Sequence, residues 1–488
     1  MTAIGPCGDI VSGSSYAINE VTTVASVWAL ASFMASGGNV GSSCTNTAGL
    51  INAFLTANAL VNTNTGISPG AALPSNVTVP TAKLNTLADA LTSCTRPSSG
   101  SGCSSLFDLA ASGSTIPGNT LDAALNIAHS PAANVASLYA VAAGNVVFTP
   151  NLSAAPTDLL LHNTIKDGGM ASPASVGVSS SGNVWTSSYF NTVSEFLPNG
   201  SAVFPAGVSG SGINQSYGMA LDNQDNVWIA NEQTSSNSGL GDVTELNASG
   251  ATVESAITAG GIEFPIAVAA DTNGNMWFAN YGDSTVTLLD SNGSAISPSS
   301  GWGGTSLGFP VALAVDSSHN AWVANQGGEL PITRISADGS EVTNFECNCN
   351  GASGVAIDEN NNVWIANYYG NSVSAVNSCG TVVVSAATGG GIDHPQGIAV
   401  DGAGTVWVTD FISNSISEIA GSSGAAEGNL LSPATGFGAD ASLLQPYGIA
   451  IDASGNVWVS NFGNNTLTQF IGAAAPVKTP LVGPPQQP

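Results

Sequence analysis

The chain has four histidines, and His394 has the best surroundings for chemistry. Asp393 precedes it and Asp410 follows sixteen residues later. An imidazole beside carboxylates can serve as a general base or a metal ligand. No firm cofactor follows from these residues; a divalent ion, calcium or magnesium, is the one considered, and it would need more ligands than one His and scattered carboxylates. The plainer reading is an exposed loop histidine beside a solvated aspartate. His129 lies near a helix end, where its charge favours the dipole. It reads as structural, as do His162 in strand-like sequence and His319 in a turn. The stretch from Asp358 to Asn362 has the Asp-x-Asn-x-Asn look of a calcium loop, but the twelfth position lacks the required Glu. No Gly-x-Ser-x-Gly elbow, phosphate loop or His-Glu-x-x-His motif is present.

The elements that would position these groups come from a repeat. Trp185, Trp228, Trp277, Trp322, Trp364, Trp407 and Trp458 are spaced 43, 49, 45, 42, 43 and 51 residues apart. Each sits in a phrase such as Asp452-Ala-Ser-Gly-Asn-Val-Trp458-Val-Ser-Asn461. A fixed period of this size marks a repeat architecture. Within one unit, residues 397–401 and 406–410 read as strands joined by a tight turn, and 414–419 alternates as a half-buried strand does. A looser fourth strand ends in Gly-rich sequence, and the next unit often opens at a proline. Four short antiparallel strands per unit, seven times over, predict a seven-bladed β-propeller. Residues 159–165 are the preferred closing strand, because the alternative after residue 475 carries a proline at each end. The Asp six residues before six of the seven tryptophans reads as turn chemistry.

Ligands of such a fold meet the loops around the central channel. The residues just before the strand-opening position are Gln215, Phe264, Phe309, His394 and Gln445; with Gln396 and Tyr447 just after it, they form the expected ligand-binding set. Tyr189, Tyr281, Tyr368, Tyr369, Phe411 and Phe462 recur shortly after the tryptophans. They either pack blade on blade or ring one face to stack on a ligand. Glu232 and Asp283 stand past their own tryptophans and would point to the same face.

Residues 1–150 lack the repeat and read as a small helical domain of four or five helices, with candidates at 19–34, 47–61, 81–92, 120–128 and 134–142. A stretch around residues 145–156 is expected to dock it on the propeller of 151–475, and a Pro-rich tail of 476–488 follows. Five Lys and Arg against 32 Asp and Glu give a formal charge of −27, which excludes nucleic acid and anionic membrane as partners. No segment is long and apolar enough to span a membrane. With only 8% charged residues, solubility rests on Ser, Thr, Asn and Gly, a profile that suits an extracellular or cell-surface protein. Residues 1–7 lack a basic start and an apolar run, so a leader would have to precede this sequence. Seven cysteines lack zinc-site spacing and suit disulfides. The pairs considered are Cys94 with Cys103, Cys7 with Cys44, and Cys379 with Cys347 or Cys349.

The phrase Pro-x-Gly-Ile-Ala-Val-Asp followed by Gly-Asn-Val-Trp-Val and Asn-Ser-Ile resembles NHL-repeat propellers, and still more the virginiamycin B lyase family, over residues 172–471. The helical part resembles the leading domain of secreted bacterial NHL-repeat proteins. The lyase resemblance implies a His just after the strand-opening Pro, an acid after the Trp motif and a divalent metal. At the first position this sequence has Ala174, Ile266, Val311, Gln396 and Tyr447. At the third residue after each Trp it has Ser or Asn, except Asp410. The reading is therefore a secreted or cell-surface binding or scaffold propeller for a glycan, peptide or protein. The alternatives are a metal-assisted lyase or lactone hydrolase using His394, and a structural subunit that self-assembles through a terminal strand.

Overall fold

The computed structural model describes every residue except 6–12, 97–101, 211, 234–239, 328–330 and 422–426. The first third forms α1 (Glu20–Leu30), α2 (Thr47–Leu60), α3 (Thr81–Thr95), α4 (Gly102–Leu109), α5 (Thr120–His129) and α6 (Val135–Ala143). Asn19 starts α1 by accepting the Thr22 N–H, and the Thr22 hydroxyl accepts the Asn19 N–H in return. Every residue of α1 is buried, as expected of a helix that is apolar or small all round and lies at the centre of its domain. The sequence pattern overlooked α4, which follows a Gly/Ser run. Cys94 pairs with Cys103. Cys347 pairs with Cys349, whose Cα lies 5.1 Å away, and this corrects the expectation that either would bridge to Cys379. Cys379 and Cys44 are exposed free thiols, and Cys7 lies outside the described residues.

Seven sheets follow, each built on three antiparallel strands in chain order. The fourth strand depends on composition. It forms as Thr252–Ile257, Val342–Phe345 and Val382–Ala387 in blades 2, 4 and 5. In blades 1, 3 and 6 it is reduced to isolated bridges such as Phe196 to Ala202. Those three segments contain Pro205, Pro298 and Pro433, which cannot donate to a ladder. Blade 7 closes the ring with His162–Ile165 of the preferred closing segment, paired to Thr466–Phe470. Val77–Thr78 of the helical part then adds a fifth strand that covers the blade's outer edge.

The propeller has no single core; seven separate cores fill the spaces between blades. Trp277 of blade 3, for example, packs among Leu313, Val315, Ala321 and Val323 of blade 4. All seven repeat tryptophans are 0–1% exposed. The aspartate six residues earlier does more than shape a turn. Asp452 Oδ1 accepts the N–H groups of Ser454 and Asn456 at 2.7 and 2.9 Å. Its Oδ2 accepts Asn456 Nδ2 and Trp458 Nε1, both at 2.8 Å. Asp222, Asp316 and Asp358 hold their tryptophans likewise. The carboxylate thus ties the hairpin turn to the buried indole.

The helical domain sits against this hairpin-turn end, near blades 7 and 1. Asn46 Nδ2 donates to the Ala453 carbonyl and Asn52 Nδ2 to that of Ser181. At the side, Lys83 of α3 is 1% exposed and bonds Asp158 and Asp440 at 2.9 and 3.0 Å. Residues 147–152 instead fold back on α3, where Asp89 accepts from Val147, Phe148 and Asn151, so docking does not run through that stretch. The last residues cross the same end of the channel: Thr479 Oγ1 donates to the Ser179 carbonyl, Gly483 N to Ala270 and Gln487 Nε2 to Gly402. Val477, Leu481 and Pro485 floor a lower chamber of about 210 Å³ walled by the first strands. The opposite mouth stays open.

Candidate functional site

Each first strand carries a register irregularity just after its opening residue, as between Pro173 and Ser175 or Pro446 and Ile449. A bulge re-aims the side chain it holds. Repeated seven times, it turns the second residue of every first strand into the mouth: Ala174, Tyr217, Ile266, Val311, Ser353, Gln396 and Tyr447. Together with Glu232, Tyr281 and Gln326 they line a cavity of about 490 Å³.

The residue before each strand has a positive φ, 47° for Gln215 and Phe264, 52° for Phe309 and His394, and 51° for Gln445. Asn191, Asn371 and Asn414 of the preceding blade fix this turn by accepting the N–H of Gln215, His394 and Gln445. The carbonyls point the other way and take the N–H of the fourth residue after each tryptophan: Glu232 on Gln215, Tyr281 on Phe264, Phe411 on His394, Phe462 on Gln445. This backbone ring sets a second tier of side chains above the first, namely Tyr189, Glu232, Tyr281, Gln326, Tyr368, Phe411 and Phe462.

The aromatic members of both tiers meet. Tyr189 lies 5.1 Å from Tyr217, which lies 6.3 Å from Tyr447. Tyr447 is 5.8 Å from Phe462, which returns to Tyr189 at 6.4 Å. Phe411 and Tyr368 continue the arc to His394. Phe190, Phe309, Tyr369, Ile412 and Leu444 add exposed apolar side chains on the rim.

Of the expected ligand-binding set, Gln396 and Tyr447 line the cavity. Gln215, Phe264, Phe309, His394 and Gln445 supply the left-handed turns of the rim. His394 Nδ1 is 2.7 Å from Asp393 Oδ1, and its ring meets Tyr368 edge-on at 4.7 Å. Asp410 does not reach the mouth. It is fully buried where five of the other blades carry Asn and blade 1 carries Ser188, and it accepts from Ser417 and Ser415 at 2.6 and 3.3 Å. Burial drives its carboxyl well above the usual range despite those bonds. Tyr217, Ser353 and Gln326 were missed. Units 2 and 5 open with Ser216 and Ala352, so counting from proline skips them. Counting four residues on from each Trp would have found Glu232 and Gln326 together.

Burial raises Glu232, and burial with the nearby Glu232 charge pushes Tyr217 up to about 12. Tyr447 is raised for the same two reasons and by Tyr217. Asp283 is raised by burial while bonding Thr285, not the cavity. Among the described residues the mouth therefore offers stacking faces, amides and the Glu232 carboxyl.

The family description "Virginiamycin B lyase family" matches residues 206–479, more than half of the chain. The chain belongs to the virginiamycin B lyase family. A catalytically inactive variant of the Staphylococcus aureus lyase, crystallised with quinupristin, is 16% identical with a TM-score of 0.51, over 63% of this chain and 98% of that one. A streptogramin B lyase structure is 17% identical, with a TM-score of 0.46 over 62% and 94%. The extracellular domain of a one-component system from B. thetaiotaomicron is 14% identical, with a TM-score of 0.47 over 62% and 40%. At 16% identity and a TM-score of 0.51, the likeness to the inactive lyase variant speaks for the propeller fold alone. No curated protein matches the chain.

The metal that family resemblance implies does not fit these residues. None of the seven positions after the strand opening is histidine, and among the described residues Glu232 is the one carboxylate lining the cavity. Among the described residues, no three His, Cys, Asp or Glu side chains gather where they could hold an ion.

Proposed function

We propose that this propeller is a non-catalytic binding module of a secreted or cell-surface protein, taking a glycan or peptide segment in its open mouth. The observation that carries the reading is the mouth itself. Tyr217 and Tyr447 present ring faces beside Gln396, Gln326 and Ser353 in a cavity of about 490 Å³, with no nucleophile-and-base pair among them. Few convergent polar groups among aromatic faces are what a specific small site needs. The helical domain and the tail occupy the other end and leave this face free. The disulfides Cys94–Cys103 and Cys347–Cys349 support an oxidising compartment. Titration calorimetry against glycan and peptide panels tests the reading. A ligand whose affinity falls about tenfold in Tyr447→Ala is expected, since an aromatic contact is worth about 0.5–1.5 kcal/mol beyond its buried area. A ligand indifferent to both Tyr447→Ala and Gln396→Ala would move the site elsewhere.

Family membership favours a second reading, lyase action on a cyclic peptide. Consumption of quinupristin by the purified chain, followed by chromatography, would replace the binding reading. The self-assembly alternative has less to work with, because Val77–Thr78 already covers the edge of the closing blade.

A further inference from the structure

The mouth is lopsided. One wall carries Tyr189, Tyr217, Tyr447 and Phe462, a four-membered circuit with ring centroids 5.1 to 6.4 Å apart. All four rings keep part of their surface exposed. Beside them stands Glu232, close enough for its charge to raise the hydroxyls of Tyr217 and Tyr447. Glu232 is itself half-buried. Among the described residues, none of the ion pairs involves it. A half-buried carboxylate without a partner gains from a cation that a ligand brings.

The chain cannot supply it easily. Its basic residues number five, none of them lines the cavity, and Lys83 and Arg334 are engaged elsewhere, with Asp158 and Asp440 and over Trp322 and Phe345. Ring faces carry negative potential and attract a cation within about 6 Å of their centroids, most strongly when water is excluded. A net charge of −27 raises the local concentration of cations further. A glycan would use the rings and could donate a hydroxyl to the carboxylate, but only a cationic group also neutralises its charge.

We infer that the mouth recognises an organic cation, an alkylammonium group seated against Tyr217 and Tyr447 and paired with Glu232. This rests on the binding reading above and narrows it to a ligand class. The group can belong to a small molecule or to a lysine side chain of a peptide, since both offer the same chemistry.

Calorimetry on the full chain at pH 7.5 separates the possibilities with three probes. Choline represents the free cation, N-acetyl-lysine methylamide the peptide-borne one, and 3,3-dimethylbutan-1-ol is the uncharged isostere of choline. At least one of the two cations should bind about tenfold or more tightly than the isostere. Glu232→Gln should shrink that preference by at least about threefold, the ring faces keeping the remainder, and leave the isostere unchanged. Tyr447→Leu should weaken cation and isostere alike, and an unaltered melting temperature in both variants shows that the fold is intact. If isostere and choline bind equally, or the preference survives Glu232→Gln undiminished, the cation inference is wrong while stacking in the mouth stands. If neither cation nor isostere binds while a glycan does, the inference again fails and the binding reading holds. If nothing binds in the mouth, both fall.

Discussion

Replacing Lys83 by Met should cost more than any other single loss of a charged side chain in the helical domain. Lys83 Nζ donates to Asp158 Oδ1 at 2.9 Å, to Asp440 Oδ1 at 3.0 Å and to the Leu160 carbonyl at 2.9 Å. The lysine side chain is 1% exposed and that of Asp158 0%. Methionine fills similar volume, so little cavity forms and the penalty is the orphaned carboxylate. Breaking a buried pair from one side costs about 3–5 kcal/mol. Asp158 keeps the N–H groups of Leu160 and Gly438 at 3.0 and 3.1 Å, which places the loss near the lower end, about 3 kcal/mol. At about 2 °C per kcal/mol for a large domain, the melting temperature should fall by about 6 °C in scanning calorimetry at pH 6. Adding Asp158→Asn removes the orphan charge and should recover part of the loss, a coupling that marks the pair as the cause. Arg96, 58% exposed and 3.9 Å from Glu20, is the surface control, and Arg96→Met should change stability by less than about 0.5 kcal/mol. A Lys83→Met protein melting within about 1 °C of the parent would refute the reasoning.

Asp452→Ala strands four buried donors and should lose about 4 kcal/mol in urea titration, against about half that for Asp452→Ser, which copies the Ser179 of blade 1; equal, small effects would deny the clasp its role. Trp322→Ala empties an interblade core and should cost about 3–5 kcal/mol; a loss under about 1 kcal/mol would contradict that packing. Burial raises Asp242 to about 6, Glu245 to about 7 and Glu418 to about 8, each above its unfolded value. These groups therefore stabilise the fold fully below about pH 4, and the contribution drains away as pH rises towards 8. His162, lowered to about 4 chiefly by burial, acts oppositely and costs stability as pH falls from 6.5. With three acids against one imidazole, the melting temperature should decline from pH 5 to 8 and Glu418→Gln should flatten the decline; a rising profile would count against it.

The amino-acid sequence by itself determined the architecture. Seven tryptophans at one period, alternation within each unit and a turn-forming Asp before six of them are local signals, and local signals survive in one dimension. The closing strand at 159–165 was legible for the same reason, as was the channel-facing place of Gln396 and Tyr447. Local chemistry even explains which blades lose their fourth strand, through Pro205, Pro298 and Pro433. Only the tertiary structure decided the site. Tyr217 and Glu232 come from one blade, Tyr447 and Phe462 from another, and Tyr189 from a third. Their ring contacts exist because closing the propeller brings blade 7 beside blade 1. Asp410 is buried inside its own blade against Ser415 and Ser417, while His394 stays on the rim. Lys83 meets Asp440 across 357 positions of chain, and the tail meets Ala270 and Gly402. Such pairings carry no periodic signature. They depend on loop geometry and on how two domains seat together, which a one-dimensional pattern does not encode.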